Sequence, residues 1–185
     1  MSKTNLEKAY LESKVVMKGD YPYFVNPISD GNPAITKELL DEVTDLIVEN
    51  VDLDCDVFLA PEAMAIPYGA ALTIRTGIPF QIIRKRGYGL PGEITIEQRT
   101  GYGGSTMHLN SIEKGTKAIL IDDVISTGGT LVATVKALRE AGIIVDKAVI
   151  VLNKSEDISA LAEKAGIEIF TLIDVEVRDG KPVLK

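Results

Sequence analysis

One stretch near the middle of the chain constrains the fold more than any other. Residues 118–121 (Ala-Ile-Leu-Ile) form a short apolar run, typical of a buried parallel strand. Asp122 and Asp123 follow at its carboxyl end, and residues 126–130 (Ser-Thr-Gly-Gly-Thr) make a small, hydroxyl-rich turn ahead of an amphipathic helix. A strand, a glycine-rich turn and a helix N-terminus predict an anion site, because free backbone N–H groups and the helix dipole point at the ligand.

The two adjacent carboxylates narrow the kind of anion that would bind. Alone, they would repel a bare anion. They suit a ligand that also offers hydroxyl donors or arrives with a divalent cation, and a sugar phosphate with free vicinal hydroxyls and Mg²⁺ meets both conditions. The alternative is an ordinary strand-turn-helix corner with a capping Ser or Thr, which the combination of apolar strand, Asp-Asp and Thr-Gly-Gly-Thr disfavours.

Composition excludes several classes of protein. A chain of 185 residues with 45% hydrophobic content predicts one domain over residues 1–185. The formal net charge of −7 argues against nonspecific binding to nucleic acid or to membrane surfaces. A single cysteine, Cys55, excludes an intramolecular disulfide and suits a reducing compartment. With no signal-peptide pattern and no apolar run of transmembrane length, we expect a cytoplasmic protein without a membrane partner.

Predicted helices and strands alternate along most of the chain. Apolar periodicity and capping signals predict helices over residues 2–17, 36–50, 68–75 and 158–165, and strands over 57–60, 80–83, 147–152 and 167–175. Thr36 is the predicted N-cap of the second helix, and Asp179-Gly180 is a predicted terminal hairpin turn. This alternation favours an α/β fold with a parallel sheet flanked by helices.

Residues 84–110 depart from this alternation. Six glycines fall within the segment, which opens with three cations, Arg84-Lys85-Arg86. Extended stretches at 94–96 and 107–109 predict a two-stranded flap. We favour a lid over disorder, because a lid excludes water from a hydrolysable intermediate. The only histidine, His108, is expected to be solvated or packed at the surface rather than catalytic.

Residues 21–33 form a second irregular segment, with three prolines and three aromatic residues. This composition suits neither a helix nor a central strand. The aromatic faces are suited to stacking on a flat heterocycle, although packing over the core is an equal alternative for each one.

Several candidate functional groups follow predicted strands. The turn at 61–67, the cations from Arg84 onward, the Asp-Asp turn and Lys154 all come at such strand ends. In an open parallel sheet, ligands bind beyond the carboxyl ends of the strands. One ligand could therefore contact all four groups.

The central stretch resembles the phosphoribosyl-pyrophosphate (PRPP) binding motif of type I phosphoribosyltransferases, and the resemblance extends over about residues 18–155. It implies the type I phosphoribosyltransferase fold, a parallel twisted sheet flanked by helices. It also implies an N-terminal hood (about residues 18–35) and a flexible β flap (about residues 85–110). The implied reaction uses Mg²⁺ and PRPP and replaces the pyrophosphate with a nucleobase nitrogen.

The same resemblance implies a role for each group of site residues. Residues Ser126, Thr127, Gly128, Gly129 and Thr130 would hold the 5′-phosphate. Asp122 and Asp123 would hold the ribose hydroxyls and, partly through water, the metal. The pyrophosphate would contact Glu62, Ala63, Met64, Ala65 and Arg84, and its charge as leaving group would be stabilised by Arg84, Lys85 and Arg86. An oxocarbenium-like transition state would make catalysis mainly positioning and electrostatic stabilisation, so no dedicated nucleophile is nominated.

The sequence also bears on the choice of base. Residues 84–92 resemble the Arg-Lys-x-Gly-Lys-Leu-Pro-Gly run of adenine phosphoribosyltransferases, but Met64 stands where those enzymes usually have arginine, and Gly101-Tyr102-Gly103 replaces their flap Glu-Tyr-Gly. Lys154 matches the strand-end lysine with which hypoxanthine, guanine and xanthine transferases donate to purine O6. A lysine only donates hydrogen bonds, which suits a 6-oxopurine and not the amino group of adenine. A solvated lysine closing a strand is the alternative.

The whole pattern looks like the archaeal-type hypoxanthine/guanine phosphoribosyltransferases, which share the adenine-type architecture. Lys154, Tyr23, Phe24 and Val124 are then the predicted purine contacts. The predicted function is purine salvage, with IMP or GMP and pyrophosphate as products. Adenine or xanthine transfer, or a non-catalytic PRPP-sensing regulator, remain the alternatives. By resemblance we expect a homodimer, and we expect no nucleic-acid partner.

Overall fold

A computed structural model describes residues 3–19, 21–100 and 103–185 of the chain. The strands in the described residues are β1 (Lys14–Lys18), β2 (Tyr21–Val25), β3 (Val57–Pro61), β4 (Phe80–Ile83), β5 (Ile94–Thr100), β6 (Gly103–Leu109), β7 (Lys117–Ile125), β8 (Ile144–Asn153), β9 (Glu168–Arg178) and β10 (Lys181–Leu184). The helices are α1 (Thr4–Leu11), α2 (Pro27–Asp30), α3 (Lys37–Asn50), α4 (Ala65–Thr76), α5 (Gly129–Glu140) and α6 (Ile158–Ala165). None of these helices has the length and apolar composition needed to cross a bilayer.

The central sheet confirms the predicted α/β fold. Its strand order is β10-β9-β8-β7-β3-β4, with five parallel strands and the antiparallel β10 at one edge. The central stretch thus lies on β7, between β8 and β3. Two smaller antiparallel pairs, β1-β2 and β5-β6, form separate sheets.

Apolar side chains cover the central sheet on both faces. Along β7, Ile119 and Ile121 belong to the core cluster shared with α1, α3 and α4, whereas Ala118 and Leu120 belong to the cluster shared with α5. This division follows from the alternation of side chains along a strand. A strand buried on both faces has to be apolar throughout, which is why residues 118–121 form a continuous apolar run.

The predicted helix over residues 2–17 is wrong in its second half. Helix α1 ends at Leu11, and residues 14–18 form β1 instead. Val15 pairs with Phe24 and Val16 with Tyr23. β-Branched valines favour an extended chain when a partner strand is available, and that partner becomes apparent only in the folded chain.

Two local boundary signals are confirmed. The backbone N–H of Leu39 donates to Thr36 Oγ1 at 3.2 Å, so Thr36 caps α3. Asp179 and Gly180 have φ values of 52° and 70° and connect β9 to its antiparallel partner β10. Both signals depend on neighbouring residues only, which makes them readable in sequence.

The predicted two-stranded flap is present as the antiparallel pair β5-β6. One face of this pair is anchored in the core, because Ile96, Met107 and Leu109 are buried in the cluster that includes α5. Of the run Gly101-Tyr102-Gly103, residues 101 and 102 lie outside the described residues. The movement of the flap as a lid stays a prediction.

Candidate active site

The predicted groups meet at the carboxyl edge of the sheet, where neighbouring strand ends are tied by backbone hydrogen bonds. The N–H of Glu62, after β3, donates to Ile83 O at the end of β4 at 2.9 Å. The N–H of Lys154, after β8, donates to Ile125 O at the end of β7 at 2.8 Å. Parallel strands end at the same edge, so residues distant in sequence become neighbours.

The turn at residues 126–130 encloses a cavity of about 210 Å³ together with Asp122, Val124 and Leu131. Gly128 has a φ of +69° and stands directly before the first turn of α5. Among the described side chains, none caps this helix. The first N–H groups of a helix lack intrahelical partners, so an uncapped N-terminus beside a cavity suits an anion.

The acid pair lies within β7, which runs to Ile125 rather than ending at residue 121 as predicted. Side-chain alternation places Asp122 against the cavity of the turn. Burial raises the pKa of Asp122 well above its ordinary value, and the negative charge of Asp123 raises it further. Burial also raises the pKa of Asp123. The fold thus holds two carboxylates in a position that disfavours two negative charges, which a cation or hydroxyl donors would relieve.

Tyr68, on α4, belongs to the core cluster on the face of the sheet opposite to α5, within electrostatic range of Asp123. Its side chain is fully buried, and its hydroxyl donates to Ile28 O at 3.0 Å. Burial raises the pKa of this phenol, and the charge of Asp123 adds to the rise. The neutral tyrosine is therefore hydrogen-bonded to α2 in the predicted hood and is influenced by the charge of Asp123.

The turn at residues 62–65 contains a cis peptide bond between Glu62 and Ala63. Glu62 Oε2 lies 3.8 Å from Arg84 Nη1, so two residues predicted to meet pyrophosphate contact one another. Ala65 is buried at the start of α4, and Met64 Cε is near the hood residue Gly31, 3.6 Å from the position that a Cβ would occupy.

The cationic segment after β4 is organised by Glu93, which sequence reasoning missed. The Glu93 carboxylate accepts from Tyr88 N at 2.7 Å, Gly89 N at 3.2 Å and Asn110 Nδ2 at 3.0 Å. Its Oε1 also lies 3.2 Å from His108 Nδ1, which agrees with the expected packed role of that histidine. The available signal was a lone acid directly after Pro91-Gly92. Glu93 thereby sets the path of the loop on which Lys85 and Arg86 are exposed.

The hood residues and Lys154 are brought together. Phe24 is buried, and Lys154 Nζ lies 5.9 Å from the centroid of its ring, within cation–π range. The Tyr23 hydroxyl donates to Asp30 Oδ1 at 2.6 Å, which orients the tyrosine ring within the hood. Lys154 also lines a cavity of about 380 Å³ with Ser126 and Thr127. The predicted purine and phosphate groups therefore border common space.

Comparison with known proteins agrees with this arrangement. The phosphoribosyl transferase domain family matches residues 34–176. A hypoxanthine/guanine phosphoribosyltransferase of Methanohalophilus mahii is 47% identical over 181 residues, covering 97% of this chain and 95% of the relative. A protein with the same description from Methanothermobacter thermautotrophicus is 42% identical over 176 residues, covering 95% and 91%.

Solved structures of adenine phosphoribosyltransferases share the fold. The protein from Thermoanaerobacter pseudethanolicus has a TM-score of 0.74 at 22% identity, covering 91% of this chain and 99% of that one. The Saccharomyces cerevisiae protein, solved with adenine, has a TM-score of 0.73 at 18% identity, covering 93% and 100%. At these identities the likeness concerns the fold alone.

Proposed function

The chain belongs to the phosphoribosyl transferase family, and from this premise we propose that it transfers the 5-phosphoribosyl group of PRPP to hypoxanthine or guanine. The products are IMP or GMP and pyrophosphate, and the role is purine salvage. Archaeal relatives described as hypoxanthine/guanine phosphoribosyltransferases support this function, because they match nearly the whole chain at 42% to 47% identity.

The position of Lys154 supports the choice of a 6-oxopurine and carries that part of the proposal. Its backbone is bonded to the strand that leads into the phosphate turn, and it borders the same cavity as Ser126 and Thr127. An ammonium group donates hydrogen bonds and accepts none. It is therefore matched to purine O6 and mismatched to the amino group of adenine, and buried polar mismatches discriminate strongly.

The remaining groups suit an oxocarbenium-like transition state. The turn at residues 126–130 offers backbone N–H groups to the 5′-phosphate, and Asp122 and Asp123 offer carboxylate oxygens to the ribose hydroxyls. Arg84, with Lys85 and Arg86, stabilises the negative charge that leaves with pyrophosphate. Positioning and electrostatics then account for the reaction without a covalent nucleophile.

Mg²⁺ fits the acid pair. Carboxylate oxygens are ligands that Mg²⁺ prefers. Burial raises the pKa of both acids, and the charge of Asp123 raises that of Asp122 further, so a bound cation would offset the cost of holding both carboxylates ionised. Within the described part of the chain, no three His, Cys, Asp or Glu side chains form a metal cage. This suits Mg²⁺ held by few carboxylates together with water and substrate phosphates. When bound, it neutralises pyrophosphate charge.

A substrate panel tests the function. The purified protein, with PRPP and Mg²⁺, is supplied separately with hypoxanthine, guanine, xanthine and adenine, and nucleotide formation is followed by chromatography. We expect IMP and GMP formation, with adenine the poorest substrate. A preference for adenine would overturn the assignment of the base, and no turnover with any purine would overturn the enzymatic function.

Lys154→Ala tests the specificity contact. Loss of a charge-assisted hydrogen bond costs about 1.5–3 kcal/mol, so kcat/KM for hypoxanthine should fall roughly 10- to 150-fold. The matched control is Lys37→Ala, because Lys37 is an exposed lysine on α3 whose side chain is 81% accessible. Unchanged hypoxanthine turnover in Lys154→Ala would show that this lysine only closes a strand.

A homodimer stays a proposal that follows from family resemblance, and a cytoplasmic location stays a proposal that follows from the sequence pattern, including the single cysteine. Light scattering of the purified protein measures the first, and fractionation of cells that produce the protein measures the second. A monomer at assay concentrations would contradict the dimer without affecting the assignment of the reaction.

A further inference from the structure

A buried amide fixes the backbone on both sides of Lys154. Asn153, the last residue of β8, is only 4% exposed, and so is Ser155. Asn153 Oδ1 accepts from Ser155 N at 2.9 Å and from Ser155 Oγ at 2.6 Å. The side chain of the residue before Lys154 is therefore bonded twice to the residue after it, which closes a tight turn with Lys154 at its centre.

The other end of the same amide is fixed by β9. Asn153 Nδ2 donates to Asp174 Oδ1 at 2.8 Å, and the two residues are register partners in the sheet. Thr171 Oγ1 lies 3.3 Å from the same carboxylate oxygen. Ser155 needs an acceptor and Asp174 needs a donor, so the amide has only one orientation that satisfies both.

The backbone of Lys154 is also bonded to the strand on the other side of β8: its N–H donates to Ile125 O, at the end of β7, at 2.8 Å. The ends of β7 and β8 and the interior of β9 are thus connected through Lys154, Asn153 and Asp174. A long lysine side chain has many rotamers. Fixing its Cα and its backbone direction restricts the region that its ammonium group can reach.

We propose that Asn153 and Asp174 are a positioning pair that directs the Lys154 ammonium group at purine O6 and so sets the preference for 6-oxopurines. This inference rests on the proposed function. Neither residue touches the reacting atoms; both act through Lys154. If the pair were only structural, its substitution would lower stability without changing the KM for hypoxanthine relative to the KM for PRPP.

A side-chain exchange tests the pair. Asn153→Asp still accepts from Ser155 but places two carboxylates together, so KM for hypoxanthine should rise about tenfold or more, while KM for PRPP changes less than about twofold. Asp174→Asn should be mild, because an amide oxygen still accepts from Asn153. The double variant Asn153→Asp with Asp174→Asn restores one donor and one acceptor, and it should recover most of the hypoxanthine KM.

A second double-mutant cycle, between Asn153→Asp and Lys154→Ala, tests whether the Asn153–Asp174 pair acts through Lys154. In a Lys154→Ala background, Asn153→Asp should have little further effect on hypoxanthine, because the group that it positions is absent. Thermal unfolding of every variant accompanies the kinetics. If Asn153→Asp does not fold, the double variant decides the question, since it keeps a complete hydrogen-bonded pair.

Three outcomes would overturn the inference: equal losses for PRPP and hypoxanthine, no recovery in a folded double variant, or full additivity with Lys154→Ala. Each is distinguishable from failure of the proposed function, which would appear as absent 6-oxopurine turnover in the unmodified protein.

Discussion

Gly128→Ala would perturb the phosphate turn in two measurable ways. Gly128 has a φ of +69°, and the left-handed conformation costs a residue with a Cβ about 1–2 kcal/mol. A Cβ at this position would also stand 2.7 Å from Leu161 Cδ2 and 3.0 Å from Leu161 Cδ1. These atoms are the ends of a half-buried leucine side chain that lines a cavity and can move, so the overlap adds about 1 kcal/mol, the lower end of overpacking costs, for a total loss of about 2–3 kcal/mol in the free energy of unfolding.

Gly180→Ala is the matched control. Gly180 has nearly the same φ, +70°, but no atom lies within 4 Å of the position that its Cβ would occupy. We therefore expect a loss of only about 1–2 kcal/mol there. Urea unfolding of both variants measures the difference, and KM for PRPP should rise only in Gly128→Ala, because only that turn is predicted to hold phosphate.

Leu161→Ala separates the two contributions at Gly128. In a double-mutant cycle the shortened Leu161 removes the steric overlap, so the double variant should be more stable than the sum of the single effects predicts. Equal losses for Gly128→Ala and Gly180→Ala, together with strict additivity in this cycle, would refute the assignment of the extra cost to Leu161.

Three further predictions concern titratable groups. Burial and the charge of Asp123 raise the folded-state pKa of Asp122, so its carboxyl destabilises the metal-free fold as pH rises above the unfolded pKa of about 3.9. In the presence of a chelator, Asp122→Asn should therefore be more stable than the unmodified protein at pH 7.5 and equally stable near pH 4. The same variant should lose transferase activity. A hydrogen bond from Tyr88 N lowers the pKa of Glu93. The stabilisation by the Glu93 carboxylate is therefore present above about pH 4.3 and is lost as pH falls through the lowered pKa. Glu93→Gln should reduce this loss of stability at acid pH and should speed proteolysis at residues 85–92. Partial burial raises the pKa of the Cys55 thiol to about 11, and alkylation at pH 7.5 should be on the order of 100-fold slower in the native protein than in urea. Equal alkylation rates would contradict a raised pKa at this half-buried thiol.

Much of the fold was predictable because it depends on contacts between near neighbours in sequence. The bounds of α3 followed from Thr36 and from a 3.6-residue apolar period, and α6 at Ile158–Ala165 agrees with its prediction. The failure at residues 14–18 has the opposite cause. Helix or strand was decided there by a partner, β2, that local periodicity does not describe.

The candidate site divides along the same line. The turn at residues 126–130 was readable because its strand, glycines and helix are contiguous, and Lys154 was readable from its place at a strand end. Glu93 and the pair Asn153–Asp174 could not be predicted, because their roles depend on hydrogen bonds to residues up to 21 positions away in sequence. A polar side chain in a sequence does not show which partner it will be buried against.

By itself, the sequence determined the kind of site, because the apolar strand, the two acids and the glycine-rich turn that predict it are contiguous within thirteen residues, 118–130. Tertiary structure decided how those acids are used and what surrounds them. The alternation of β7 sets Asp122 against the cavity of the turn, burial raises the pKa values of both acids, and parallel pairing brings Lys154 to the same edge. The physical reason is that turn geometry depends on adjacent residues, whereas burial, charge coupling and the joining of strand ends exist only once distant segments have packed.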